Sequence, residues 1–185
     1  MTDATVYKGG SWANVTKGVM VRVTGHSDVA DTVEFTNAGF NPEPNVQNAR
    51  TYRDRGLAKQ KKGDLDGAMA DFNQAIKLDP KNAYAYNNRG NIKFRKSDLY
   101  GAMADYNQAI RLNPKYAEAY NNRGNVKFRR GDLNGAMGDY NQAIQLNPQY
   151  GLAYRNRGNA KRKKGDLDGA IADFNQAIKL GVTTD

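Results

Sequence analysis

The side chains of this sequence that could do chemistry come as a periodic set. Arg55, Arg89, Arg123 and Arg157 recur at one spacing, and Asp71, Asp105, Asp139 and Asp173 recur in step with them. Their expected chemistry is pairing. One guanidinium and one carboxylate per unit form a ladder of ion pairs, which, if partly buried, sets register more surely than stability. Nothing else points to catalysis. The one histidine, His26, has no cysteine or second histidine with which to share a metal. Asp64-Leu65-Asp66-Gly67 and Asp166-Leu167-Asp168-Gly169 look like the start of calcium loops but lack the later ligands, so helix capping is their expected role. No Walker loop, dinucleotide fingerprint or zinc-protease helix occurs. The chain is therefore read as a non-enzyme with no metal and no cofactor.

The elements that must position these residues repeat as well. Tyr86-Asn87-Asn88-Arg89-Gly90-Asn91 returns as Tyr120-Asn121-Asn122-Arg123-Gly124-Asn125 and as Tyr154-Arg155-Asn156-Arg157-Gly158-Asn159, with a looser first copy at Tyr52-Arg53-Asp54-Arg55-Gly56-Leu57. Pro80, Pro114 and Pro148 keep the same 34-residue step. A fixed period of this size means stacked units. Each unit reads as two helices. In the second, helix A runs from about Ala83 to Lys96, Ser97-Asp98 turns the chain where the other units have Gly63, Gly131 and Gly165, and Asp98 caps helix B as far as Leu112. Ala102, Tyr106, Ala109 and Ile110 share one face of B, with Tyr106 expected to fill the gap against A. Gly67, Gly101, Gly135 and Gly169 recur in the first turn of B. A helical glycine there costs about 0.5–1 kcal/mol against alanine, so close packing is expected around it.

The spacing Gly90 … Ala102-x3-Tyr106 … Pro114 resembles the tetratricopeptide repeat. The likeness covers four units, 49–82, 83–116, 117–150 and 151–184, about three quarters of the chain. It implies a mostly α fold: an α-solenoid, a right-handed superhelix of antiparallel helix pairs whose A helices line a concave groove. The departures are Tyr52, Tyr86, Tyr120 and Tyr154 where the family often has Trp, the four arginines where it has Leu, and Lys59, Lys93, Lys127 and Lys161 where it has an aromatic.

The resemblance also implies a binding surface. Groove asparagines of this family hydrogen-bond extended peptides, and here they are Asn88, Asn122 and Asn156, with Asn91, Asn125 and Asn159 one turn later. An amide suits that task because it both donates and accepts; the alternative is that these amides bond between neighbouring repeats. The positions that clamp a chaperone tail's carboxylate fall on Leu152 and Asn156 or on Glu118 and Asn122, so an Hsp70 or Hsp90 tail is not expected. Helix A ends on Lys61-Lys62, Arg95-Lys96, Arg129-Arg130 and Lys163-Lys164. Lys61, Arg95, Arg129 and Lys163 form a basic stripe that complements the helix dipole or meets an acidic partner. Phe94 and Phe128 beside it either pack the groove wall or stack on a ligand.

Residues 1–48 read as a separate β-rich segment and linker ahead of an array at 49–185. Val19, Val21 and Val23 alternate with Met20, Arg22 and Thr24 in a strand pattern. Ala4–Tyr7, Trp12–Thr16 and Asp31–Thr36 are shorter candidates, though Ser27–Thr36 also fits a capped helix. Pro42 and Pro44 mark a stiff linker. The net charge is +9 over 185 residues. The segment carries three cations against five acids, a net of −2, so the array carries +11. That imbalance serves solubility, anionic partners or attraction between copies. With no apolar run long enough for a bilayer and no signal-peptide pattern, a soluble cytoplasmic protein is expected. An exported protein or surface fibre is the other case, and there the sequon at Asn14 gains meaning.

A solenoid needs polar caps, yet the fourth unit keeps Leu167, Ile171, Ile178 and Leu180. The expected partner is another copy, stacked head to tail into an open oligomer or fibre. Its contact uses these side chains and the strand edges around Val19, Val21 and Val23. The other readings are a monomeric adaptor for an extended peptide and a binder of polyanions, with nucleic acid the least expected partner.

Overall fold

The computed structural model describes three short strands and residues 43–183, with side chains from Val46 onward. The chain divides into two compact units, Met1–Val46 and Gln47–Asp185. In the first, strands β1 (Ala13–Val15), β2 (Val19–Val23) and β3 (Val33–Thr36) pair antiparallel in the order β1-β2-β3. Val21 stands opposite both Ala13 and Phe35. Among the described residues β2 is thus the central strand, and β1 and β3, rather than the Val19, Val21 and Val23 strand, lie at the edges. Ala4–Tyr7, His26 and the linking turns lie outside the described residues.

From Glu43 onward the described residues form eight helices: α1 (Glu43–Lys61), α2 (Leu65–Leu78), α3 (Ala83–Arg95), α4 (Leu99–Leu112), α5 (Ala117–Arg129), α6 (Leu133–Leu146), α7 (Gly151–Lys164) and α8 (Leu167–Lys179). Of the two prolines expected to mark a stiff linker, Pro42 lies outside the described residues. Pro44 lies in the first turn of α1, where a missing N–H leaves no helical bond unmade. The even-numbered helices are each capped by an aspartate. Asp64, Asp98, Asp132 and Asp166 accept from the backbone N–H three residues on.

Those acceptances explain the recurring first-turn glycines. A Cβ on Gly67 or Gly101 would lie 2.1 Å from the capping carboxylate oxygen, so any larger residue would push the cap aside. The signature glycines serve a different contact. A Cβ on Gly124 would lie 2.6 Å from the Tyr140 ring, so the glycine lets that ring approach helix A. Phe72, Tyr106 and Tyr140 are fully buried this way. Each also meets a residue of the next A helix: Ile92 on Phe72, Val126 on Tyr106 and Ala160 on Tyr140. The core is therefore a string of small clusters, each shared by two consecutive repeats. Among the described residues, α5 touches both α3 and α7 whereas the even helices do not touch one another, so the stack curves towards the A side.

Candidate interaction surfaces

The arginine–aspartate ladder is bidentate in all four repeats. Arg123 donates from Nε (2.9 Å) and Nη2 (2.7 Å) to Asp139. Arg55, Arg89 and Arg157 grip Asp71, Asp105 and Asp173 alike. A lysine one turn further along helix A completes each site: Lys59, Lys93, Lys127 and Lys161 lie 2.8–3.0 Å from the same carboxylates. Sequence reasoning noticed these lysines only as departures from the family. Their step with the arginines was the available signal, because residues four apart share one helix face. Bonding to Asp105, Asp139 and Asp173 raises the pKa of Arg89, Arg123 and Arg157 further above the arginine range, against the opposing effect of burial. The Asp71 carboxyl is held below its usual value, chiefly by the Arg55 hydrogen bond.

The third guanidinium nitrogen reaches out of the repeat. Nη1 of Arg89, Arg123 and Arg157 donates to Asn73, Asn107 and Asn141 of the preceding B helix. The ladder therefore ties repeats to one another as well as A to B. Among the described residues no repeat precedes Arg55, and its side chain is 55% exposed against 20%, 21% and 19% for the other three.

On the concave side the amides form a connected chain. Asn122 Nδ2 donates to Asn87 Oδ1 (3.0 Å) and Asn91 Oδ1 (3.1 Å), and Asn156 Nδ2 donates to Asn121 Oδ1 (2.8 Å). Tyr106 and Tyr140 donate their hydroxyls to Asn91 and Asn125, and Arg162 donates to Asn159. Burial raises the pKa of both tyrosines well above the phenol value. Asn88 is half-buried. Asn87 and Asn121, almost wholly buried, are the amides that the sequence reading passed over.

A cleft of about 280 Å³ opens here, lined by Gln60, Asn91, Phe94, Arg95, Tyr106, Asn122 and Asn125. Gln60 Oε1 is buried without a hydrogen-bond partner. The stripe residues fold back over the aromatics. Arg129 lies 5.1 Å above the Phe94 ring and Lys163 5.2 Å from the Phe128 ring, so these rings already have cations on one face. Lys61 and Arg95 are exposed.

The far end of the fourth repeat is different in kind. Leu167, Ile171 and Ile178 are 59%, 57% and 56% exposed. Their counterparts in the inner repeats, such as Leu133, Met137 and Ile144, are half-buried, and Met69, Met103 and Met137 pack in clusters with a residue of the next A helix. Leu180 is half-buried and packs with Val182 over the start of α7, where a Cβ on Gly151 would collide with Val182. Asn14 lies in β1. Among the described residues no cluster of three or more metal-ligating side chains occurs, and no helix is long and apolar enough to cross a membrane.

The sequence matches the family described as TPR repeat over residues 56–97, 90–131 and 124–163, and the one described as tetratricopeptide repeat over 151–181. No curated relative matches. Among solved structures, the fold is similar to the crystal structure of MamA, with 29% identity, a TM-score of 0.65, and cover of 75% of this chain and 80% of that one. It is also similar to the first TPR of Spaghetti (RPAP3) bound to the HSP90 peptide SRMEEVD. There the identity is 28%, the TM-score 0.62, and the cover 65% of this chain and 95% of the other.

Proposed function

The chain belongs to the tetratricopeptide repeat family, and from that premise we propose that it is a non-enzymatic interaction scaffold whose first partner is another copy of itself, joined head to tail. The observation that carries this reading is the exposure of Leu167, Ile171 and Ile178 at positions that inner repeats cover. Fully covering an aliphatic side chain contributes about 1.5–3 kcal/mol. With each about half exposed, the three offer roughly 3 kcal/mol before the cost of association. The contact joins two different faces, so it propagates as a ring or an open fibre.

The cleft around Gln60 supports a second reading, an extended peptide held in the groove. Gln60 Oε1 needs a donor, and Arg95 supplies a charge for an acidic residue. Three of the six groove amides, Asn91, Asn122 and Asn156, are already engaged between repeats, which favours the first reading. The similar RPAP3 domain holds an HSP90 peptide. In this chain Leu152 and Asn156, or Glu118 and Asn122, stand where a carboxylate clamp needs cations, so that tail is not the proposed ligand. The basic stripe covers aromatic rings and helix ends, and a polyanion is the least favoured partner.

Sedimentation of the full chain over a concentration series tests the proposal. The particle mass should rise with concentration, and Ile171→Asp should return it to the monomer with helical content unchanged. A wild-type chain that stays monomeric at high concentration overturns self-association and leaves the groove reading.

A further inference from the structure

The inner junctions make their contacts at recurring positions, and one period further on the same positions fall on the two end faces of the array. Position 62 of a following copy stands to the fourth repeat as Lys96 stands to the first, Arg130 to the second and Lys164 to the third. In the chain, Lys96 pairs with Asp66, Arg130 lies over the Tyr100 ring, and Lys164 donates to Asn134. One period on, the exposed Lys62 meets the exposed Asp168, the same lysine–aspartate pair as Lys96 with Asp66.

Three further contacts extend in the same way. Arg55, the one ladder arginine with a largely exposed side chain, falls on Asn175, which is exposed in the fourth repeat at the place of Asn73, Asn107 and Asn141. Where Asn122 bonds Asn87 and Asn156 bonds Asn121, the ends bring Asp54 to Arg155, so an amide pair becomes an ion pair. Ala58, exposed, falls on Ala170 and Phe174, as Ala160 falls on Ala136 and Tyr140. One position opposes: Lys61 comes over Arg162, where Arg129 and Lys163 find Phe94 and Phe128. Both of these are exposed, and their long stems let the charges turn to water.

We propose that the second copy docks in repeat register, its first repeat taking the place of a fifth, with Lys62 on Asp168 and Asp54 on Arg155 of the copy before it. This rests on the head-to-tail reading above and specifies its geometry. Complementary charge at two points, flanking an apolar seam that admits a small side chain, distinguishes this occupant from an unrelated helix.

Charge reversal with complementation tests it in the full chain. Lys62→Asp and Asp168→Lys should each weaken self-association about fivefold or more, since each replaces an attraction by a repulsion. An equimolar mixture of the two variants should assemble like the wild type. Every junction in an alternating array is then either Lys62 with Asp168 or the swapped pair. Circular dichroism confirms that both variants keep their helices. If the wild type assembles but neither reversal alters its affinity, the register is wrong while head-to-tail association stands. If the wild type does not assemble at all, the functional reading itself fails.

Discussion

Asp139→Asn probes what holds the two helices of a repeat together. Asp139 is 5% exposed and lies between Arg123, bonded at 2.9 and 2.7 Å, and Lys127 at 2.8 Å. The amide keeps one acceptor but turns an N–H towards a cation, so two charges lose their counter-ion and one donor faces another. Removing one partner of a fully buried pair costs about 3–5 kcal/mol. Arg123 and Lys127 are 21% and 24% exposed and reach some water, which lowers the expected loss to about 2–3 kcal/mol. With a urea m-value of about 1–3 kcal/mol/M, the midpoint should fall by about 1 M or more. Urea titration followed by helical circular dichroism measures this, and amide exchange should show α5 and α6 opening first. Replacing the pair outright, as Arg123→Leu with Asp139→Leu, should recover at least half of the loss. The remainder reflects the missing bond to Asn107 and the loss of the counter-ion of Lys127. A loss below about 0.5 kcal/mol for Asp139→Asn, the size of an ordinary surface substitution, would refute the claim that this ladder ties helix A to helix B.

Two further outcomes are expected. Ser97 is the only described non-glycine residue at positive φ (64°), at a turn where the other repeats place glycine. Ser97→Gly should relieve about 1 kcal/mol and raise the melting temperature by a few degrees, and a fall would mean that the serine makes a compensating contact. Burial, then Glu118, pushes the Tyr150 hydroxyl up to about 12, against a hydrogen bond with Asn121. A raised folded-state pKa means that its contribution is intact below the phenol's ordinary value near 10 and is lost as pH climbs from there to about 12. Tyrosinate absorbance and circular dichroism should therefore move together across that window, and Tyr150→Phe should shift the transition upward. Ionisation that runs ahead of any helix loss would sink the assignment.

The period, the helix pairs and the aspartate caps were legible in the sequence because each is a local property. A 34-residue step, an Asp before an apolar run and a glycine at a turn all act within one repeat. The partner of each arginine was legible too, because Arg and Asp recur in step. Tertiary structure alone decided the rest, since it depends on what crosses between repeats. Lys59 and its counterparts join the carboxylate site because one helical turn from the arginine faces the same B helix. Asn122 and Asn156 turn to Asn87, Asn91 and Asn121 because the A helices touch on the concave side. The signature glycine is required by an aromatic ring on another helix, not by its own backbone. Leu167, Ile171 and Ile178 were legible as an uncovered face, because the fourth unit keeps the apolar pattern of the inner repeats; only the fold showed that Leu180, read with them, is half-buried against the start of α7.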